Sequence, residues 1–204
     1  MYFNYINDTP YDVINYENVC SDYLLLWGNY SKNEISKLIP NSSNYIVFGY
    51  PKSKFPILSK QIKSERIFVI LPRDIYLDDS IKLLNFLKDY KIQFTIRPHP
   101  SISTKINDII KSNDNFIIDS AMLLSESLNK HKYRAIISFN STAIFEAALY
   151  EQNVYLFKTN KNEFKNPGFN ELTLESDLII ELGKGKLIQK DSFFSEKINL
   201  EKDK

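Results

Sequence analysis

A histidine held between two prolines stands near the middle of the chain, in Thr95-Ile96-Arg97-Pro98-His99-Pro100. Each proline fixes its own φ and pushes the residue before it into extended geometry, so His99 leaves this segment in a defined direction. Imidazole titrates near neutrality and can give a hydrogen bond or a proton to a phosphate or a leaving group. Arg97, two residues earlier, offers a planar cationic fork for an anion. A second cluster, Ser138-Phe139-Asn140-Ser141-Thr142, runs from an apolar segment through a short polar turn into a helical pattern. Ser141 and Thr142 fall at the N-cap and first turn, where unpaired backbone N–H groups and the positive helix end suit a phosphate. Glu146 lies about one turn further on, near enough to meet ribose hydroxyls of the same nucleotide. In a third segment, Ile70-Leu71-Pro72-Arg73-Asp74, Arg73 heads the next connection and could face the same crevice.

Each feature also has a plainer reading. The prolines could make a turn whose histidine only caps a carbonyl. Serine and threonine at an N-cap are ordinary helix capping, and Glu146 is an ordinary early-helix carboxylate. Arg73 could form a surface ion pair with Asp74, worth little energetically. Other groups carry no arrangement that points to chemistry. Cys20 reads as a small apolar residue, and Trp27 with the Tyr-rich start reads as core or interface. His131, in Lys130-His131-Lys132, reads as a solvated helix end. Asp78, Asp79 and Glu126 have no partner suited to acid/base work.

The elements that must position these residues show as short apolar runs alternating with amphipathic segments. Residues 22–28, 45–49, 66–72, 92–97, 116–119, 134–139 and 153–157 read as strands. Several are nearly continuous apolar runs, which suits strands covered on both faces of a parallel sheet. Residues 77–90, 121–130 and 141–150 read as helices, the first with Ile81, Leu84 and Leu87 at three-residue steps and Asp78 and Asp79 in its first turn. The alternation predicts an α/β fold, a doubly wound and mostly parallel Rossmann-like sheet. In such sheets ligands bind beyond the carboxyl ends of the strands, where all three clusters stand.

The 204 residues allow one comfortable domain or two cramped ones, and 43% hydrophobic content supports a core. Lys plus Arg number 26 against 25 Asp plus Glu, a net charge of +1 that supplies no polycationic field for nucleic acid. One cysteine excludes a disulfide framework or a cysteine-rich zinc site, and two histidines leave little for a metal. No apolar run reaches a membrane span, and the start lacks the pattern of a signal peptide. These observations predict a cytoplasmic protein, at most peripheral at the inner face of the membrane. Pro51 and Pro56, with Ser53 between them, make the best internal joint.

The order of motifs resembles the carboxyl-terminal, nucleotide-binding half of a GT-B type glycosyltransferase, over roughly residues 17–160. Bacterial sialyltransferases carry an HP motif followed by a Ser-Ser or Ser-Thr motif, and His99-Pro100 then Ser141-Thr142 form a similar pair. Teichoic acid glycerophosphotransferases and the non-hydrolysing nucleotide-sugar 2-epimerases share a related layout. Residues 22–28 and 45–51 resemble the strand and G-x-P hinge entering that half, and Leu71-Pro72-Arg73-Asp74 resembles the Arg-bearing loop of the glycerophosphotransferases.

By this resemblance His99 would be catalytic, contacting the donor phosphate or protonating it as it leaves. Ser141 and Thr142 would hold phosphate oxygens, with Arg73 and Arg97 as cationic partners, and Glu146 would bind ribose. The expected substrate is a CMP-, CDP- or UDP-linked sugar or alcohol, with no further cofactor and no metal. The acceptor would be a glycan or glycolipid of a bacterial surface polysaccharide or lipooligosaccharide. The acidic D/E-D/E-G motif of the sialyltransferases belongs to the amino-terminal half, and this chain has no match for it. The chain therefore reads as a truncated or split enzyme, a domain expressed alone or a decayed gene, acting with a separate amino-terminal half or as a homo-oligomer. The alternatives are an epimerase-like protein and a non-catalytic nucleotide-binding fragment. The expected organisation is a remnant or linker over 1–20, the Rossmann-like donor domain over 21–160, and a helical or irregular extension over 161–204.

Overall fold

The computed structural model describes residues 21–38, 44–49, 61–100, 106, 115–139, 141–150, 152–159, 166, 169–175 and 177–184. The chain divides into two units. One comprises residues 1–55, 163–168 and 191–204, and the other 56–162 and 169–190. The joint read from Pro51 and Pro56 lies outside the described residues.

The first unit contains a β-α-β arrangement. Strand β1 (Tyr23–Leu26) pairs in parallel with β2 (Asn44–Val47), and helix α1 (Asn29–Leu38) connects them. Alternate residues face opposite sides of a strand. Leu26, with Ile35 of α1, is buried, whereas Tyr23, Leu25, Ile46 and Phe48 are exposed. Gly49, just past β2, has φ 98° and donates its N–H to the Leu26 carbonyl at 3.2 Å. That backbone geometry costs a residue with a Cβ but not a glycine.

The second unit is built on six parallel strands in the order β5-β4-β3-β6-β7-β8. They are β3 (Ile62–Ile70), β4 (Phe94–Arg97), β5 (Phe116–Ile118), β6 (His131–Ser138), β7 (Val154–Phe157) and β8 (Asn170–Leu172). Helices α2 (Leu77–Asp89), α3 (Leu124–Lys130), α4 (Ala143–Leu149) and α5 (Asp177–Gly183) lie between or after them, and a 3-10 turn at Asp74–Tyr76 leads into α2. Numbered within this unit, the strands run 3-2-1-4-5-6, the order of the doubly wound dinucleotide-binding fold. The expected α/β, Rossmann-like sheet is therefore present, and it is parallel throughout.

Hydrophobic burial explains the centre of this sheet. Ile67, Phe68, Val69, Ala135, Ile136, Ile137, Val154 and Tyr155 are all at 0% exposure, so β3, β6 and β7 are covered on both faces. Phe68 stacks on Tyr133 with ring centroids 4.5 Å apart. Helix α2 buries Ser80, Leu83, Leu84 and Leu87, and its Asp78 and Asp79 stand in the first turn as expected. The helix ends with Lys91 at φ 53°, the Lys91 N–H bonding Lys88 O and the Ile92 N–H bonding Leu87 O, both at 2.9 Å. Between β3 and β6 the register jumps from Ser64↔Tyr133 to Ile67↔Ala135, so three steps of β3 match two of β6 in a bulge.

Within the span expected as the donor domain, β1 and β2 pair with each other in a two-stranded sheet of their own and belong to the first unit. The sheet of the second unit continues past 160: β8 pairs with β7 from Tyr155↔Asn170 to Phe157↔Leu172, and Lys158 Nζ lies 3.1 Å from Glu171 Oε2 beside that ladder. The expected linker over 1–20 lies outside the described residues, as does Cys20.

Candidate functional site

In a parallel sheet every strand leaves at the same rim, so topology decides whether the three clusters can meet. Ile70 of β3 stands in register with Arg97 of β4 on one side and Ser138 of β6 on the other. These are the last residues of their strands. Arg73 follows three residues after Ile70, His99 two after Arg97, and Ser141 three after Ser138. Neighbouring strands lie about 4.8 Å apart, so the three backbones leave the rim within roughly 10 Å. The strand order reverses between β3 and β6, which makes their carboxyl ends the topological switch point.

Leu71 and Pro72 are buried, so the chain turns out of β3 on an apolar base and presents Arg73 to solvent. Asp74, its neighbour, is likewise exposed. His99 is half-buried between Pro98 and Pro100 at the exit of β4. At the exit of β6, Ser138 and Phe139 are wholly buried, Ser141 is half-buried and Thr142 is exposed. Ser141 Oγ accepts the Ala143 N–H at 3.3 Å, and its carbonyl accepts the Ile144 N–H at 3.1 Å. Ser141 thus closes the turn that leads into α4, and Thr142, the N-cap, makes no side-chain capping bond. A hydroxyl that accepts one bond still carries a proton to donate outward.

Two expected site residues are placed differently. Glu146 is buried at 8% exposure, along with Ile144, Phe145 and Ala147 of the same helix, which removes it from the side chains open at the rim. Arg97 turns its fork into the fold. Nη1 lies 2.5 Å from Asp119 Oδ2 and donates to Ala121 O at 3.1 Å, while Nη2 donates to Met122 O at 3.0 Å. Both Nη1 protons are spent on protein acceptors, so the anion fork expected at Arg97 becomes a brace.

Asp119 lies outside the residues that the sequence singles out, yet it is the hub of this brace. It sits one residue past β5, its backbone N–H bonds Ile96 O at 2.8 Å, and its Oδ1 accepts Ser127 Oγ at 2.5 Å and the Ala121 N–H at 3.3 Å. Its side chain is 8% exposed and that of Arg97 20%. A signal is present in the sequence all the same: a carboxylate at the exit of one strand, with an arginine at the exit of its neighbour. Glu126, read as having no partner for chemistry, accepts the Leu123 N–H at 3.2 Å and closes the turn before α3.

The field of this cluster reaches β6. Burial raises the Tyr133 phenol to about 12, with the Asp119 charge adding to the shift and Arg97 opposing it. His131 is not a solvated helix end. It is the first residue of β6, half-buried, with its ring 5.6 Å from that of Tyr133. Burial lowers its pKa, Lys130 lowers it further and Asp119 opposes both.

Among the described residues no three His, Cys, Asp or Glu side chains gather closely enough to hold a metal ion, and no helix is long and apolar enough to cross a membrane. Arg73, His99, Ser141 and Thr142 therefore form the set that topology gathers at one rim. No protein-family model matches this chain, and no curated protein matches it.

Proposed function

We propose that the six-stranded unit binds the nucleotide of an activated sugar or alcohol at the switch point between β3 and β6, as the donor-binding half of a glycosyltransferase. The observation that carries this reading is the strand order 3-2-1-4-5-6 with the Arg73, His99 and Ser141-Thr142 loops on its carboxyl rim. An exposed guanidinium, two hydroxyls and an imidazole are the groups that would hold a phosphate and stabilise charge growing on it. Arg73 would take phosphate oxygens as a fork, and Ser141 and Thr142 would donate their hydroxyl protons. In transfer, the bond from the sugar to the phosphate oxygen breaks, a bond to the acceptor oxygen forms, and His99 donates a proton to the departing phosphate. The acceptor's own proton requires a base, which in the sialyltransferases whose motifs this chain resembles stands on the other half.

The reading is tested by a thermal-shift screen of the full chain with CMP, CDP, UDP and GDP. A ligand that binds only the folded state raises its stability by about 2.7 kcal/mol at a hundredfold excess over Kd. A clear rise with any of the four supports it, and a flat response to all four rejects it. With a bound nucleotide in hand, product analysis separates transfer from epimerisation. Binding without turnover, even in the presence of a partner half, identifies a non-catalytic module.

A further inference from the structure

The turn from β5 into α3 is braced to an extent that its exposed side chains do not require. Arg97 grips Asp119, Ala121 O and Met122 O, Asp119 grips Ser127 and the Ala121 N–H, and Glu126 grips the Leu123 N–H. The residues so fixed are apolar and face solvent: Met122 is 87% exposed and Leu123 55%. Isolated exposed apolar residues are ordinary, but two adjacent ones on a turn held by so many hydrogen bonds form a preorganised surface.

The bond from Arg97, the last residue of β4, to Met122 O ties this turn to the exit of β4, the strand that leads to His99 two residues later. A phosphate at the β3/β6 switch point lies about two strand spacings away, roughly 10 Å along the rim. A nucleoside 5′-phosphate bridges such a gap, with its base at the far end. An aromatic base offers a flat face to a thioether and an aliphatic side chain. Resting on the reading above, we propose that Met122 and Leu123 form the apolar platform for the donor's base and that Arg97 is the positioning residue that holds it. The platform is sequence-tolerant toward bases, so it contributes affinity for any nucleotide over bare phosphate.

The test compares two kinds of probe on the full chain by calorimetry: inorganic pyrophosphate, and the 5′-mono- and diphosphates of adenosine, guanosine, cytidine and uridine. Met122→Ser and Leu123→Ser, both at exposed positions, should leave the melting temperature unchanged. Together they should weaken the preferred nucleotide roughly tenfold and leave pyrophosphate affinity unaltered. Arg97→Lys keeps the charge but loses the three-acceptor fork, and should lower the ratio of nucleotide to pyrophosphate affinity. A purely structural Arg97 would weaken both probes together. Nucleotide binding at the parent affinity in the double variant, or a parallel loss of pyrophosphate, overturns the platform and leaves the phosphate site standing. A parent chain that binds no probe overturns both.

Discussion

Replacing Asp119 by asparagine is the sharpest perturbation of the rim that needs no ligand. The carboxylate accepts three donors: Arg97 Nη1 on Oδ2 and Ser127 Oγ on Oδ1, both at 2.5 Å, and the Ala121 N–H on Oδ1 at 3.3 Å. At 8% side-chain exposure, little water can replace any of them. A carboxamide in its place would keep the shape but turn an NH2 toward a donor and leave the Arg97 cation without its counter-charge. Breaking a buried ion pair by removing one partner costs about 3–5 kcal/mol. Arg97 keeps some solvent access and two carbonyl acceptors, so the lower end, about 3 kcal/mol, is expected. At about 4 °C per kcal/mol for a unit of this size, melting would fall by about 12 °C. Urea unfolding of Asp119→Asn, Arg97→Met and the double variant gives the coupling. With both charged partners gone no buried charge is left uncompensated, so the double variant should lose less than the sum of the singles, by about 2 kcal/mol. Strictly additive losses would refute the brace.

Three further outcomes follow from particular residues. The Tyr133 phenol is pushed up to about 12 while the unfolded chain ionises near 10, so stability is full below pH 10 and falls by about 2 kcal/mol by pH 12. Tyr133→Phe should flatten that part of the curve, and urea midpoints across the range measure it. The His131 pKa is lowered from 6.5, so the folded state resists protonation and stability drops as the pH falls below 6.5, with no effect above it. His131→Gln should remove that acid-side slope. Lys91→Gly should stabilise the chain by about 0.5–1 kcal/mol, because φ 53° costs lysine and not glycine; an unchanged or lower urea midpoint would contradict it.

The strands at the centre of the second unit are legible because burial on both faces writes itself as an unbroken apolar run, as in Ile67-Phe68-Val69-Ile70-Leu71. Other elements lack such writing. Strand β8 is three residues, Asn170-Glu171-Leu172, and owes its state to pairing with β7. Helix α1, Asn29–Leu38, has a mainly polar sequence with Ile35 as its one fully buried described anchor. His131 misleads because α3 passes straight into β6, so a residue that ends a helix also begins a buried strand. At the site, the turn at Ser141 can be read because a serine hydroxyl bonding a backbone N–H two residues on is local chemistry. The turning of Arg97 toward Asp119, 22 residues away, is set by the pairing of β4 with β5 and has no local signature.

The most direct measurement of the central claim is the affinity of the full chain for its preferred nucleotide after Arg73→Ala and after Thr142→Ala, substitutions at the exits of β3 and β6. Both positions are exposed, so the fold should be unaffected. If one phosphate sits between these exits, Arg73→Ala should raise Kd at least roughly tenfold and Thr142→Ala severalfold, from the loss of a charge-assisted and a neutral hydrogen bond. A nucleotide that binds with its parent Kd in both variants would contradict the account.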